Sequence, residues 1–272
     1  MKAPSQDILD KVIAVAKEAG AFIRKEREHF DRDDVEHKGF NDLVSYVDKT
    51  AEKMIVDGLR DLLPEAGFIA EEGTGSKNAE GLNWIIDPLD GTTNFVHGVP
   101  AYAVSIALHD GNELTLGVVY EVSGDECFSA VKGGGTWLNG KQVSVSKATE
   151  LSASLIATGF PYAEFDHMPQ YMDVLTTFMR STHGLRRIGS AATDLAYTAC
   201  GRFEGFFEYG LKPWDVAAGI LLVQEAGGTV SDFGGKNDYL FGGEIVAGSG
   251  LHAEVLSVVM SHWPKNETKN QR

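Results

Sequence analysis

The sequence has few of the residues that build redox, zinc or membrane sites. Cysteine occurs twice in 272 residues, at Cys127 and Cys200, which are far apart and form no Cys-x-x-Cys pattern. A zinc or thiol redox site is therefore not expected, and both thiols are predicted to be small buried hydrophobes in a reducing compartment. No apolar run reaches the about 18 residues that a spanning helix needs. Charged residues interrupt the first apolar positions, so we predict no signal peptide and a cytoplasmic protein without membrane contact.

Positive charge is also scarce. Lys and Arg total 24 against 39 Asp and Glu, which gives a formal net charge of −15. Nucleic-acid and anionic membrane surfaces are bound by clustered Lys and Arg, so no nucleic-acid surface is expected. An acidic protein that handles phosphate must take positive charge from elsewhere, and a bound metal ion would supply it.

The sequence contains no internal repeat and no linker rich in Pro, Gly and Ser. Its 43% hydrophobic and 23% charged residues are ordinary for a globular protein. We predict one domain over residues 1–264, with subdomains of about 1–147 and 148–264 and the site between them. The polar residues 265–272 are expected to form a disordered tail.

Hydrophobic periodicity predicts the main elements. Two amphipathic helices are expected, joined by a polar loop, and a meander of antiparallel strands is expected in the middle of the chain. Strands and helices then alternate. The predicted elements include helices Ser5–His29, Val47–Leu63, Pro169–Ser181, Ser190–Cys200, Val216–Ala226 and Leu251–Trp263, and strands Gly67–Ala70, Trp84–Ile86, Leu155–Thr158, Arg186–Ile188, Phe203–Glu208, Thr229–Asp232 and Glu244–Ala247.

The stretch WIIDPLDGTTNFVHGVP, residues 84–100, is the most informative. A buried strand is predicted to stop at Asp87, and the turn formers that follow place Asp90 beside it. Thr93 or Asn94 is expected to cap a short helix. Hard oxygen ligands beside a helix start suit a divalent cation that holds a phosphate. The alternative is that these residues only close a turn through their own backbone.

Two further segments carry acids at element ends. Glu71 follows the predicted strand Gly67–Ala70, and Asp215 opens the helix in LKPWDVAAG. Taken alone, Glu71 would be a solvated acid and Asp215 a helix cap. Carboxylates gathered without basic partners repel one another, so either they lie apart or a metal holds them. Ligands that are all oxygen favour Mg²⁺ or Mn²⁺ over Zn²⁺.

The combination of AEEG, WIIDPLDGTTNFVHG and LKPWDVAAG closely resembles the inositol monophosphatase family of Mg²⁺-dependent, lithium-sensitive phosphatases, over nearly the whole chain. The resemblance implies an α/β fold of the α+β type, a layered αβαβα sandwich with antiparallel or mixed sheets between helix layers. It also implies a homodimer and two to three Mg²⁺ ions, with Mn²⁺ as a possible substitute. Relatives with other substrates differ just after Gly-Thr, and the Thr92–Phe95 segment is similar to the inositol monophosphatases.

The resemblance further implies a role for each matching residue. The metal ligands would be Glu71, Asp87, the backbone carbonyl of Leu89, Asp90 and Asp215, with Asp87 bridging two ions. The catalytic residues would be Asp48, Glu71 and Thr92, of which Asp48 and Thr92 orient and deprotonate the attacking water. The substrate-binding residues would be Asp90, Gly91, Thr92, Gly189, Ser190, Ala191, Glu208 and Asp215.

The predicted activity is hydrolysis of a phosphate monoester by direct water attack, with inositol 1-phosphate as the first choice among small phosphorylated polyols and sugars. Fructose 1,6-bisphosphate, adenosine bisphosphate and NADP are the alternative substrates, and a non-catalytic regulatory relative is a further alternative. The Asp31–Asp42 and Phe160–His167 segments are expected to shape substrate choice. Arg186 and Arg187 match no family motif and are interpreted as a solvated or interface pair.

Overall fold

Two β-sheets alternate with layers of helices in the part of the chain that the structure describes. The structure is a computed structural model and describes residues 4–31, 35–39, 42–78, 81–161 and 165–264. The helices are α1 Gln6–Arg27, α2 Tyr46–Arg60, α3 Thr92–His97, α4 Met168–Ser181, α5 Ala191–Ala199, α6 Pro213–Glu225 and α7 His252–His262. The strands are β1 Val35–Gly39, β2 Asp42–Ser45, β3 Gly67–Ala70, β4 Asn83–Asp90, β5 Ala103–His109, β6 Leu114–Glu121, β7 Glu126–Val131, β8 Thr136–Leu138, β9 Lys141–Val143, β10 Leu155–Thr158, β11 Gly184–Arg186, β12 Gly205–Tyr209, β13 Thr229–Ser231 and β14 Glu244–Gly248.

The larger sheet has the strand order β3-β4-β5-β6-β7-β8-β9, and the smaller one has the order β11-β10-β12-β14-β13. Helices α1 and α2 contact one face of the larger sheet, α5 and α6 contact both sheets, and α4 and α7 pack together against the smaller sheet. Three apolar clusters fill the spaces between these layers. The arrangement is the predicted αβαβα sandwich.

Strand β4 shows why the central sequence is continuously apolar. Trp84 and Ile86 are buried in the cluster with α1 and α2, whereas Ile85 is buried in the cluster with α5 and α6. Side chains alternate between the two faces of a strand, so a strand covered on both sides needs apolar residues at every position. The same reason makes α6 apolar all round, since it lies between two sheets.

Several predicted elements have the expected limits. Strand β3 is the predicted Gly67–Ala70, and β5 to β9 form the expected antiparallel meander. Ser5 caps α1 by accepting a hydrogen bond from the Ile8 N–H. Ser45 caps α2, and the Asp48 carboxylate accepts the Ser45 N–H in return, so two N–H groups at the helix start are satisfied.

Other predictions were wrong in their details. The polar loop before α2 contains an antiparallel hairpin of β1 and β2. Strand β4 does not stop at Asp87 but continues to Asp90 through a bulge, with Asp87 opposite Ser105 and Asp90 opposite Ala103. The predicted strand Arg186–Ile188 lies at Gly184–Arg186 instead. Short strands and bulges depend on neighbouring strands that are distant in sequence, so local patterns locate them poorly.

Three predictions fall wholly or partly outside the described residues. The tail at 265–272 is one, and parts of the two substrate-shaping segments, at 32–34, 40–41 and 162–164, are the others. The division into subdomains and the homodimer stay predictions. Among the described residues, no helix has both the length and the apolar character needed to cross a membrane.

Candidate active site

The register of β3 and β4 brings two of the predicted metal ligands together. The strands are parallel and pair Ala70 with Ile86. One step further along, the Glu71 N–H donates to the Ile86 carbonyl at 3.2 Å, which places Glu71 beside Asp87. Neighbouring strands lie about 4.8 Å apart, so the two carboxylates leave the sheet side by side.

The bulge in β4 turns Asp90 toward helix α5. One oxygen of Asp90, Oδ2, accepts hydrogen bonds from the Ser190 hydroxyl at 2.6 Å and from the Ala192 N–H at 2.7 Å. Gly91 follows with φ +93°, and a Cβ there would lie 3.0 Å from the Ala101 carbonyl oxygen. Glycine is therefore required where the chain turns from β4 into α3.

Asp215 reaches the same place from the first turn of α6. Its Oδ2 accepts the Lys212 N–H at 2.6 Å, and the N-cap position is Lys212, so the alternative interpretation of Asp215 as the cap residue was wrong. The Trp214 carbonyl accepts the Ser105 hydroxyl at 3.2 Å, which ties this helix start to β5. The Asp215 carboxylate thus accepts a backbone N–H at the start of α6 and also faces Asp87 and Asp90.

Burial and mutual repulsion change the acidity of these groups. Burial, with the negative charges of Glu71, Asp90 and Asp215, holds the pKa of Asp87 well above its ordinary range. Burial raises the pKa of Asp90 to about 6. Burial and the charge of Asp90 raise the pKa of Asp215 to about 7. Four carboxyl groups from three parts of the chain therefore share one electrostatic environment.

The raised pKa of Asp215 predicts that the metal-free protein becomes less stable to unfolding as the pH rises. A carboxyl group of this kind stabilises the fold while it is protonated, fully so below its unfolded pKa of about 4. That stabilisation is lost as the pH rises through the folded pKa, which is about 7. Asp215 is half-buried and faces Asp87, Asp90, Glu208 and Lys212.

We therefore expect Asp215→Asn, which keeps the acceptor for the helix N–H but carries no charge, to stabilise the metal-free protein at pH 8. After allowance for solvent screening, the gain should be about 1–2 kcal/mol, or a few degrees in melting temperature. At pH 5 the gain should be clearly smaller, and below about pH 4 it should disappear, because the wild-type carboxyl group is then protonated in both the folded and the unfolded chain. Thermal melts of the metal-free proteins measure this, and an equal shift at both pH values would contradict the assigned electrostatics.

The donor set fits a hard divalent cation. Among the residues the structure describes, no three Asp, Glu, His or Cys side chains form a ready group that could hold a metal ion as they stand. The donors are nevertheless all oxygens, as Mg²⁺ prefers. The bonds to Ala192, Lys212 and Leu89 anchor the carboxylates of Asp90, Asp215 and Asp87 through one oxygen each. Their raised pKa values mark a charge excess that a cation would relieve.

Asp48 and Thr92 form the predicted pair. The Thr92 hydroxyl lies 2.8 Å from Asp48 Oδ1 and 3.0 Å from the Leu89 carbonyl oxygen. Asp48 is buried, and its Oδ2 accepts both the N–H and the hydroxyl of Ser45. Burial raises the pKa of Asp48 despite these hydrogen bonds. The pair adjoins the Leu89 carbonyl, so it lies at the edge of the carboxylate cluster.

Glu208 lies on β12, within electrostatic reach of Asp215 and Asp90. It is buried, and burial with the charges of Asp215 and Asp90 holds its pKa well above the ordinary range. A Cβ at Gly159 would lie 2.0 Å from Glu208 Oε1, so the carboxyl group rests directly over that glycine. Because Gly159 has no positive φ, glycine is needed here for space rather than for backbone conformation.

Two residues that the sequence analysis did not place in the site influence Glu208. Asp194 is buried in α5, its Oδ1 has no hydrogen-bond partner among the described residues, and burial with the Glu208 charge holds its pKa well above the ordinary range. Arg187 is exposed, as expected of a solvated residue. Its positive charge nevertheless partly offsets the rise in the pKa of Asp194 and of Glu208. Its guanidinium lies 5.6 Å from the ring centre of Phe160. Sequence spacing gave no signal for either residue.

The expected helix cap after the central motif was wrong. Helix α3 begins after Gly91, in the left-handed region, and no side chain caps it. Asn94 is buried inside the helix, and its amide donates to the carbonyls of Ala101 and Ile188. It thereby ties the central motif to the segment that leads into Gly189 and Ser190, a role that only the tertiary structure reveals.

Comparison with known proteins agrees with this architecture. Residues 5–263 match the model of the inositol monophosphatase family. Nus factor SuhB of Escherichia coli is 44% identical over 243 residues, which cover 89% of this chain and 91% of that protein. The extragenic suppressor protein suhB of Bartonella henselae has a crystal structure with a TM-score of 0.88 and 38% identity, covering 93% of this chain and 98% of that one.

An inositol monophosphatase from Anabaena is similarly close in structure, with a TM-score of 0.83 and 34% identity over 95% of this chain and 97% of that chain. The layered αβαβα fold is thus the fold of solved inositol monophosphatases. The chain belongs to the inositol monophosphatase family.

Proposed function

We propose that the protein is a Mg²⁺-dependent phosphate monoester hydrolase that converts an inositol monophosphate and water to myo-inositol and phosphate. One observation carries the proposal: Asp87 shares its electrostatic environment with Glu71, Asp90 and Asp215 from neighbouring elements. When bound, Mg²⁺ would supply positive charge against the phosphoryl oxygens and the leaving oxygen. Glu71, Asp87, the Leu89 carbonyl, Asp90 and Asp215 would hold the ions, with Mn²⁺ as a possible substitute.

Asp48 and Thr92 are proposed to orient the attacking water. When the Thr92 hydroxyl donates its single proton to Asp48, its oxygen lone pairs are directed away from that carboxylate and can accept a hydrogen bond from water. Asp48 then receives the proton through Thr92 as the water attacks phosphorus. Ser45 fixes the far oxygen of Asp48, so the accepting oxygen keeps its direction.

Substrate contacts are proposed on both sides of this pair. Gly91 and Thr92 would contact the phosphate. The hydroxyl groups of the polyol would be bound by Glu208, whose carboxyl group can accept two hydrogen bonds. The segment Gly189–Ala191 borders the same space, since a Cβ on Gly91 would lie 3.2 Å from the Gly189 carbonyl oxygen.

The packing of Glu208 against Gly159 provides a test of whether Glu208 binds the hydroxyl groups of a polyol substrate. Gly159→Ala should displace the carboxyl group, because the added Cβ would overlap it. Loss of a hydrogen bond to a charged group costs about 1.5–3 kcal/mol, so we expect KM for inositol 1-phosphate to rise at least about tenfold. KM for p-nitrophenyl phosphate, which lacks polyol hydroxyls, should stay within about twofold.

The matched control is Gly205→Ala, on the same strand as Glu208. Its Cβ would press on Val255 Cγ2 at 3.0 Å and not on Glu208. We expect it to affect stability and to leave the two KM values in their wild-type ratio. Equal increases of both KM values in Gly159→Ala would argue against a role for Glu208 in binding hydroxyl groups.

The proposed activity is tested by a phosphate-release screen with and without Mg²⁺ and Li⁺. The substrates are inositol monophosphates, fructose 1,6-bisphosphate, adenosine bisphosphate and NADP. We expect Mg²⁺-dependent, Li⁺-inhibited release that is fastest with an inositol monophosphate. Faster phosphate release from another substrate would identify that metabolite as the preferred substrate. Absence of release from all of them would contradict the proposed phosphatase activity.

A second candidate is a regulatory binding role, because the Escherichia coli relative is named a Nus factor. Such a role would not need the carboxylate cluster. If the protein replaces that relative in cells and its Asp87→Asn variant does so equally well, the regulatory role is independent of phosphate hydrolysis. Loss of the replacement in that variant would link the two.

A further inference from the structure

Helix α2 carries a second buried carboxylate that faces the site region. Glu52 lies four residues after Asp48, and residues so spaced share one face of a helix. Both side chains are buried, with exposed fractions of 0% for Glu52 and 1% for Asp48. Asp48 contacts Thr92, whereas Glu52 contacts the loop that follows β3.

Glu52 holds that loop through both of its oxygens. Oε2 accepts the Glu72 N–H at 2.7 Å, and Oε1 accepts the Thr74 N–H at 2.8 Å. These are short, charge-assisted hydrogen bonds. A buried carboxylate is costly unless it is well compensated, so two backbone donors mark a specific arrangement rather than a chance contact.

The bonds fix the residue between two anchors. The Glu71 N–H is bound to Ile86 on β4, and the next N–H along the chain, that of Glu72, is bound to Glu52 on α2. Peptide groups are planar. When the peptides on both sides of a Cα are held, its side chain leaves in a set direction, and for Glu71 that direction is beside Asp87.

We propose that Glu52 is a positioning residue that aims Glu71 into the carboxylate cluster and thereby sets the affinity of the site for Mg²⁺. The inference rests on the proposed function, in which Glu71 is a metal ligand. Residues that orient metal ligands typically contribute about 10- to 100-fold in metal affinity.

The test is Mg²⁺ binding to the metal-free protein by isothermal titration calorimetry. Glu52→Gln keeps the side-chain length but offers one acceptor oxygen and an NH₂ group that cannot accept the second N–H. We expect Mg²⁺ to bind about 10- to 100-fold more weakly. Glu52→Asp, which keeps the charge but is too short to reach both donors, should weaken binding less.

A matched control lies at the far end of α6. Glu225 also accepts two loop N–H groups, from Gly133 at 2.9 Å and Gly135 at 3.0 Å. Glu225→Gln therefore removes a comparable loop clamp, and we expect wild-type Mg²⁺ affinity from it. If Glu52→Gln and Glu225→Gln both lost Mg²⁺ affinity, the loss would be explained by general destabilisation of the fold, and the proposal would be overturned.

A double-mutant cycle with Glu71→Gln isolates the mechanism. If Glu52 acts through Glu71, adding Glu52→Gln to Glu71→Gln should change Mg²⁺ affinity by less than about twofold. Unchanged binding in Glu52→Gln alone, or full additivity in the double variant, would overturn the positioning role. Failure of the wild-type protein to bind Mg²⁺ would instead overturn the proposed function as well.

Discussion

Replacement of Asp87 by Asn is expected to lower kcat/KM for inositol 1-phosphate by at least about a thousandfold at saturating Mg²⁺. Asp87 lies among Glu71, Asp90 and Asp215, and this central place is the reason for proposing it as the ligand that two ions would share. Removing its charge would weaken both proposed positions, and metal assistance is worth several kcal/mol, each about 1.4 kcal/mol being a factor of ten.

The same substitution should stabilise the metal-free protein at pH 8. Burial and three neighbouring acids hold the pKa of Asp87 well above its ordinary range, so ionisation opposes folding there. Asp110→Asn is the control, since that partly exposed residue accepts loop N–H groups in the β5–β6 turn and lies outside the carboxylate cluster. Activity loss together with a higher melting temperature identifies a functional carboxylate cluster. Wild-type turnover of Asp87→Asn with Mg²⁺ would refute the bridging role.

The second large effect is expected at Asp48 and Thr92. Asp48→Asn and Thr92→Ala should each lower kcat by about 10²- to 10⁴-fold, the usual contribution of a positioned proton acceptor. Mg²⁺ affinity should change little, because neither side chain is among the proposed metal ligands. Rapid mixing with inositol 1-phosphate and calorimetry with Mg²⁺ measure the two quantities separately.

Ser45→Ala gives the graded comparison for this pair. The Asp48 Oδ2 would lose the serine hydroxyl but keep the Ser45 N–H at 2.9 Å, so the loss in kcat should be clearly smaller than in Asp48→Asn. The double variant of Asp48 and Thr92 should be no worse than the worse single one, because the two residues act as a unit. A parallel loss of Mg²⁺ binding would place the pair in the metal site instead.

The local sequence pattern was sufficient to predict features that depend on a single strand or on residue type. The apolar run at 84–86 predicted a buried strand, and the parallel partner ending at Ala70 delivered Glu71 to Asp87. The polar residue types predicted oxygen-donor chemistry before any contact was known. These predictions depend on the alternation of residues along a strand and on the chemical type of each side chain, and a short stretch of sequence is enough to recognise both.

Long-range contacts could not be predicted in this way. Asp90 is bound by Ser190 and Ala192, a hundred or more residues further along the chain, so its anchoring depends on how α5 packs. Thr93 or Asn94 was expected to cap a helix, but the Asn94 amide donates to the carbonyls of Ala101 and Ile188. Gly159 carried no signal, because a glycine retained for space resembles any other until the neighbour that fills the space is known.

Anomalous diffraction from crystals soaked in Mn²⁺, with Mg²⁺ competition, tests most directly whether these carboxylates hold divalent cations. We expect at least two peaks, one between Glu71 and Asp87 near the Leu89 carbonyl, and one among Asp87, Asp90 and Asp215, both diminished by Mg²⁺. Crystals with full Mn²⁺ occupancy elsewhere and no peak among these carboxylates would contradict this expectation.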